Sequence, residues 1–214
     1  MARAYRRPRA HREFFNEFEI KRSKFLTFIA RVEDEEQARA FIAEIRSRYP
    51  DARHHCSAYL YHVDGSNPIE RSSDDGEPSG TAGTPMLDVL RGSGLLDIAA
   101  VTVRYFGGIK LGAGGLVHAY SDSVMRCLDQ VESVSRARQD LFQADFNYSD
   151  AGKIEAELRG RGFHVTEVEY KHRAHFTIAV DPGGKAELES FLAALTAGGA
   201  RLTDAGSTWV ESNL

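Results

Sequence analysis

Val101-Thr-Val-Arg-Tyr-Phe-Gly-Gly-Ile-Lys-Leu-Gly-Ala-Gly-Gly-Leu116 is the stretch that decides the fold of this 214-residue chain. Its first residues close an apolar run, residues 95–105, that predicts a buried strand. A glycine-rich segment, residues 107–115, follows it, and the apolar residues of 116–131 then repeat with the period of a helix. The stretch therefore predicts a strand, a loop and a helix in direct succession.

This glycine-rich stretch carries the chemistry of an anion site. Arg104 and Lys110 supply positive charge, and Tyr105 and Phe106 either stack on a base or belong to the core. Bare backbone amides come from five glycines: Gly107, Gly108, Gly112, Gly114 and Gly115. A loop between a strand and a helix start is the context that a phosphate-binding loop needs. The spacing fits neither the Walker A pattern nor the GxGxxG fingerprint, so it predicts an anion site without naming a nucleotide.

A second candidate loop lies upstream and reads Arg71-Ser-Ser-Asp-Asp-Gly-Glu-Pro-Ser-Gly-Thr-Ala-Gly-Thr-Pro85. It belongs to a polar segment, residues 64–84, that predicts a long loop ending where a short helix, residues 85–91, begins. Loops of this length inside compact domains are commonly functional. The loop adds four candidate anion ligands: Arg71, Ser79, Gly80 and Thr81.

Three carboxylates in the second loop oppose that interpretation, because they would repel a phosphate: Asp74, Asp75 and Glu77. Three alternatives stay open for them. They pair with Arg71 and Arg104, they hold a divalent cation, or the loop is bonded only to itself at the surface.

Apolar spacing predicts a mixed α+β chain around these loops. Before them lie two strands, a helix with acids in its first turn and arginines in its last, and a strand rich in Tyr and His: residues 14–20, 24–32, 33–48 and 53–63. After them the predicted elements follow the order β-α-β-β-α-β from residue 141 to residue 210, which is the ferredoxin-like order. We place the boundary near residues 137–140 and expect domains at residues 1–138 and 139–214.

Composition and charge narrow the function classes. The chain is 42% hydrophobic and 27% charged, as is usual for a protein with a buried core. Cys56 and Cys127 form no CxxC pair, which favours reduced thiols in the cytoplasm, and no apolar run reaches the roughly 20 residues that cross a membrane. The net charge of −4 argues against a dedicated nucleic-acid binder, yet residues 1–24 carry eight Lys or Arg against three acids. We expect residues 1–12 to be a flexible basic arm.

Histidines in the third predicted strand, residues 53–63, suggest a metal site, which the strand geometry disfavours. His54 and His55 point to opposite faces of a strand and do not chelate one ion together. A nucleophilic site at Ser79 or Thr81 needs a base within hydrogen-bond reach, which a sequence does not reveal. We therefore assign no catalytic residue, no metal and no cofactor, and expect binding rather than catalysis.

The two loop motifs together, from Asp74 to Pro85 and from Val101 to Leu116, resemble the signature of the IMPACT/YigZ family. The resemblance covers nearly the whole chain. It implies a ribosomal protein S5 domain 2-like fold for residues 1–138 and a ferredoxin-like fold for the remainder, a pair similar to the last two domains of the translocating elongation factor. Eukaryotic members of the family regulate translation under amino-acid starvation. They are thought to act through an extra domain that these 214 residues do not include, so their regulatory partner is not carried over.

Three functions are compatible with these patterns. The first, which we rank ahead, is an RNA- or ribosome-associated binding protein that uses the glycine loops and the basic arm on phosphates, with a role in translation regulation. The second is an enzyme or sensor that binds a nucleotide or a phosphorylated small molecule at the glycine-rich loops. The third is a protein–protein adaptor in which the loops shape a docking surface.

Overall fold

The computed structural model describes residues 4–213, in which a five-stranded antiparallel sheet organises the first half. The strand order is β2-β3-β6-β4-β5. The elements of this half are β1 (Ala4–Pro8), β2 (Glu13–Ile20), β3 (Ser23–Arg31), α1 (Glu35–Arg48), β4 (His54–Tyr61), β5 (Ile69–Ser73), α2 (Gly83–Ser93), β6 (Ile98–Tyr105) and α3 (Ala113–Leu128).

Helices cover both faces of this sheet, and two apolar cores result. On one face α1 buries Phe41 and Ile45 against the sheet residues Val101 and Val103. On the other face α2 and α3 enclose a second core around Tyr120. Because β6 is apolar on both sides, it lies at the centre of the sheet, as a buried strand must.

The helix predicted at residues 33–48 is confirmed and begins two residues later, at Glu35. Asp34 is its N-cap residue, and its side chain accepts a hydrogen bond of 2.8 Å from the backbone N–H of Gln37. Acids in the first turn and arginines in the last turn complement the helix dipole. Local sequence signals therefore account for both ends of α1.

The prediction of one continuous loop over residues 64–84 is wrong. Residues Ile69–Ser73 form β5, which pairs antiparallel with β4, and α2 begins at Gly83. The sequence of β5, Ile-Glu-Arg-Ser-Ser, lacks the apolar alternation that marks a strand, because β5 is an edge strand whose side chains are half-buried or exposed. The functional loop is thereby shortened to residues 74–82.

The flexible basic arm is also a wrong prediction for the residues that the structure describes; residues 1–3 lie outside them. β1 occupies Ala4–Pro8, and the side chains of Tyr5 and Arg7 are buried. Tyr5 donates a hydrogen bond of 2.8 Å to the Asp97 carboxylate, and Arg7 pairs with Asp97 at 3.1 Å and with Glu33 at 2.8 Å. Asp97 and Glu33 neutralise the buried Arg7. The local sequence, which is rich in arginine, predicted a solvated tail instead.

The second half has the ferredoxin-like fold. Its elements are β7 (Ser133–Phe146), α4 (Tyr148–Gly160), β8 (His164–Tyr170), β9 (Ala174–Val180), α5 (Lys185–Thr196) and β10 (Thr203–Asn213). β9 lies between β7 and β8 and is antiparallel to both, while β10 pairs with the other edge of β7. The resulting order, β10-β7-β9-β8, is that of two interlocked βαβ units.

The described chain forms two compact units that divide after Ser135, and Arg136–Ser212 is the second of them. The strand β7 begins at Ser133 and runs through residues 137–140, where the sequence suggested a boundary. Among the described residues, no helix has the length and hydrophobicity required to span a membrane.

Candidate functional site

A tight turn between β2 and β3 packs against the glycine-rich loop. Lys21 and Arg22 form this turn, and both have the positive φ angles, 47° and 63°, that a two-residue hairpin demands. A Cβ atom added to Gly107 would lie 2.0 Å from the carbonyl carbon and oxygen of Arg22, so only glycine fits there. The Ser23 hydroxyl accepts a hydrogen bond of 3.2 Å from the Gly107 N–H.

Left-handed backbone is unfavourable for Lys and Arg, at a cost of about 1–2 kcal/mol for each residue. Asn-Gly would form the same turn without that cost. The turn therefore places two cations at the expense of local strain, which is common at functional sites. The sequence shows this segment as a polar turn, and its cations were missed as site residues because their contact with Gly107 is a long-range one.

Arg104, the first cation of the predicted anion site, is buried and already paired. Its Nη1 lies 2.7 Å from Oε1 of Glu77, and the two side chains are only 8% and 3% exposed. The guanidinium carbon lies 5.6 Å and 5.7 Å from the ring centroids of Phe25 and Phe106. The sequence left open whether the loop carboxylates pair with arginines, hold a cation or bond only within the loop. Glu77 pairs with Arg104.

The Arg104–Glu77 pair continues into a short hydrogen-bonded chain. The Tyr120 hydroxyl donates to the same Glu77 oxygen at 2.8 Å, and the Cys56 thiol donates to Tyr120 at 3.3 Å. Burial raises the pKa of Tyr120, so the phenol keeps the proton that it donates. Burial also raises the pKa of Cys56 to about 12, so this thiol is not a nucleophile at neutral pH.

Asp74 occupies the amino-terminal end of α2, where the sequence predicted an external anion. Its Oδ1 accepts from the N–H groups of Ala82 at 3.0 Å and Gly83 at 2.8 Å, and its Oδ2 accepts from Gly80 at 2.8 Å. Burial alone would raise the pKa of Asp74, but the three amides outweigh it and hold the pKa below the ordinary value. Gly80 is therefore engaged with a carboxylate of the protein itself.

Asp75 ties the loop to β4 and α1. Its carboxylate accepts from Arg46 at 2.8 Å and from the backbone N–H of His55 at 2.6 Å, while the His54 ring contacts its carbonyl oxygen at 2.9 Å. Burial acts to raise the pKa of Asp75, yet Arg46 and His55 lower it overall. Within residues 4–213, no group of three or more His, Cys, Asp or Glu has the arrangement to hold a metal ion.

The remaining candidates of the second loop do not converge on one point. Arg71 lies on β5 opposite Tyr59, and its guanidinium contacts the carbonyl oxygen of Glu70. Ser79 is exposed, whereas Thr81 is buried and donates to the carbonyl oxygen of Pro78 at 2.6 Å. Residues 74–82 are thus a loop held both by its own hydrogen bonds and by bonds to α1, β4, β6 and α3.

The glycine-rich loop, by contrast, presents its groups to solvent. Phe106 is 54% exposed and Ile109 is 43% exposed, and Lys110 is exposed as well. Among the described residues, Lys21, Arg22 and Lys110 make no hydrogen bond or ion pair through their side chains. α3 then begins after Gly112 without a capping side chain and without an acid in its first turn, where Gly114 and Gly115 lie.

We call this surface the hairpin–loop surface and define it by Lys21, Arg22, Phe106, Ile109 and Lys110. Tyr105 stays outside it, because its hydroxyl donates to Asp51 at 2.9 Å and burial, reinforced by that carboxylate, raises its pKa to about 12. The surface combines three unpaired cations with two exposed apolar side chains and a helix start, which suits a polyanion with exposed flat rings.

Comparison with known proteins adds family membership to this geometry. The model of the Impact N-terminal domain matches residues 21–128, and a domain of unknown function, DUF1949, matches residues 145–198. The chain is 38% identical to the IMPACT family member YvyE of Bacillus subtilis over 92% of its own length and 89% of the relative's. It is also 38% identical to the IMPACT family member YigZ of Escherichia coli, over 86% and 90% of the two chains.

A solved structure shares the fold over most of the chain. This structure, a crystal structure of a hypothetical protein, is 36% identical and aligns with a TM-score of 0.62. The alignment covers 94% of this chain and 97% of the other. The similarity therefore extends over both compact units.

Proposed function

The chain belongs to the IMPACT family, and from that premise we propose that it is a non-catalytic, RNA- or ribosome-associated binding protein with a role in translation regulation. The hairpin–loop surface is the proposed contact. The observation that carries the proposal is the set of three exposed cations, Lys21, Arg22 and Lys110, that have no partner of their own among the described residues.

Cations without an ion-pair partner can bind phosphates directly, whereas a cation that is paired with a carboxylate must first be released from it. Arg104 needs that release, since Glu77 neutralises it. The exposed ring of Phe106 adds a face on which an unpaired base stacks, and Arg104 lies behind that ring. The Cys56 thiol, which Tyr120 links to the Arg104–Glu77 pair, is buried and protonated and therefore supplies no nucleophile.

The translation role rests on the family resemblance, since eukaryotic members regulate translation. Free, buried cysteines agree with a cytoplasmic protein, which is where such a role would be carried out. Domains at residues 1–138 and 139–214 remain our proposed division, with the RNA contact in the first.

The test is co-sedimentation of the purified full chain with ribosomal subunits and with free ribosomal RNA at low salt. We expect the wild-type chain to co-sediment and the triple variant Lys21→Ala, Arg22→Ala, Lys110→Ala to stay in the supernatant. The control variant removes the same charge elsewhere through Arg39→Ala, Arg161→Ala and Lys185→Ala, whose exposed ion pairs contribute little to stability.

Two results would contradict the proposal. Absence of wild-type binding to both RNA and subunits at low salt is one of them. The other is binding that survives nuclease and high salt, which would mark the protein as an adaptor for protein partners. A nucleotide-dependent rise in melting temperature, with no RNA binding, would instead favour the small-molecule alternative.

A further inference from the structure

Two exposed tyrosines lie side by side at one end of the second unit. Tyr148 is the first residue of α4 and Tyr170 the last of β8, and the side chains are 52% and 62% exposed. Their ring centroids are 5.8 Å apart and their planes differ by 16°, so the rings stack on each other. Such a pair leaves aromatic surface in water that the fold of this unit does not cover.

The same end of the unit carries two cations without partners. Lys153 and Arg173 line a cavity of about 180 Å³ that also includes Asn147, the residue before Tyr148. Neither cation makes a side-chain hydrogen bond or ion pair among the described residues of the chain. Arg173 follows Tyr170 by three residues in the turn between β8 and β9, so tyrosines and cations share one surface.

The acids of this surface, in contrast, are already engaged. Asp145 contacts His175 at 2.7 Å, and Asp150 accepts a weak hydrogen bond from Asn147 at 3.4 Å. Glu169 pairs with Lys171 at 2.7 Å. Each of these carboxylates has a hydrogen-bond partner within the unit, whereas Lys153 and Arg173 have none among the described residues, so the two cations are the groups left free to meet a phosphate. Asp145 and Asp150 line the same cavity as the two cations.

We propose that this tyrosine platform, defined by Tyr148, Lys153, Tyr170 and Arg173, is a second contact for single-stranded RNA. Unpaired bases stack on the tyrosines, and the adjoining phosphates lie at Lys153 and Arg173. Aromatic faces beside free cations are the recognition mode of single strands, whose bases are exposed, whereas a duplex hides its base faces. This inference rests on the proposed function and extends it from the first unit to the second.

The test measures affinity of the full chain for a fluorescein-labelled 12-nucleotide oligouridylate and for a duplex RNA of the same length. We expect Tyr148→Ser with Tyr170→Ser to weaken oligouridylate binding by about tenfold or more and to leave duplex binding within about twofold. Tyr148→Phe with Tyr170→Phe is the matched control, since it keeps the rings and removes only the hydroxyls. Because both tyrosines are exposed, neither double variant should disturb the fold, and unchanged melting temperatures verify this.

A second variant separates charge from stacking. Lys153→Ala with Arg173→Ala should reduce the slope of log affinity against log salt by roughly 1.4, because each phosphate contact to a single strand contributes about 0.7. The serine pair should leave that slope unchanged, since it removes no charge.

The outcomes distinguish this inference from the proposed function. Full affinity of the serine pair, with loss of binding in the Lys21, Arg22 and Lys110 variant, overturns the platform and leaves the hairpin–loop surface standing. Equal loss of single-stranded and duplex binding in the serine pair also overturns it, because stacking discriminates between the two. No binding by the wild-type chain removes both. Capture of a protein through the tyrosines, with oligouridylate affinity unchanged in the serine pair, identifies a protein interface and contradicts the RNA platform.

Discussion

Removing the Glu77 carboxylate should destabilise the first unit more than any exposed substitution in the loop. In Glu77→Ala, the Arg104 guanidinium stays buried but loses the oxygen that lies 2.7 Å from its Nη1. Its Nε has no hydrogen-bond partner even in the intact pair, so few of its donors remain satisfied. Tyr120 loses its acceptor at the same time.

The magnitude follows from burial. Breaking a buried ion pair by removing one member costs about 3–5 kcal/mol, because the remaining charge is uncompensated. A medium-sized domain loses roughly 3 °C in melting temperature for each kcal/mol, so we expect a decrease of about 10 °C. The melting temperature of Glu77→Gln should lie between those of wild type and Glu77→Ala, because glutamine keeps an oxygen for Tyr120 and removes only the charge.

A double-mutant cycle with Arg104→Ala, measured by urea unfolding, isolates the pair. Each single variant leaves a buried charge behind, and the double variant leaves none. The double variant should therefore be more stable than the sum of the single effects predicts, by about 1–3 kcal/mol. Additivity within about 0.5 kcal/mol, or a cost of Glu77→Ala below about 1 kcal/mol, would refute the reasoning, since neither is compatible with a coupled, desolvated pair.

Two further predictions concern the loops. Gly107→Ala should destabilise the chain by about 1–3 kcal/mol, because the added Cβ meets the Arg22 backbone. Gly114→Ala, in the first turn of α3, has open space around the added Cβ and should be neutral or stabilising. The urea unfolding midpoints of the two variants decide this. Asp74→Asn should cost roughly 1–2 kcal/mol at pH 7, because an amide nitrogen would replace one of the oxygens that accept from Gly80, Ala82 and Gly83. The pKa of Asp74 lies below its ordinary 3.8, so its carboxylate stabilises the folded chain fully above that pH and loses this effect as the pH falls through the folded-state pKa. The difference in stability between wild type and Asp74→Asn should therefore shrink between about pH 5 and about pH 2. A difference independent of pH would contradict the capping role.

Elements with strong local signals were predictable from the sequence, and those stabilised by distant partners were not. The alternation of Phe142, Ala144 and Phe146 marks β7, and the second half yields its fold from such periods alone. The strand β1 escaped prediction because Arg7 becomes a core residue only through Asp97, 90 residues away. A solvated arm is the better interpretation of its local sequence.

The candidate site shows the same division. The glycine-rich loop and its position between β6 and α3 were predictable, although α3 begins three residues before the predicted start, at Ala113. That Arg104 is neutralised by Glu77 depends on the folding of the 74–82 loop over the end of the sheet. The contribution of Lys21 and Arg22 depends on a backbone contact with Gly107 across 85 residues, which no local pattern encodes.

The salt dependence of RNA affinity tests the central claim most directly. For the wild-type chain on single-stranded RNA, log affinity should fall steeply with log salt. The variant Lys21→Ala, Arg22→Ala, Lys110→Ala should show a slope smaller by about 2, at roughly 0.7 for each lost phosphate contact, while the Arg39, Arg161 and Lys185 control keeps the wild-type slope. Equal slopes for all three proteins would show that the hairpin–loop surface contacts no phosphate.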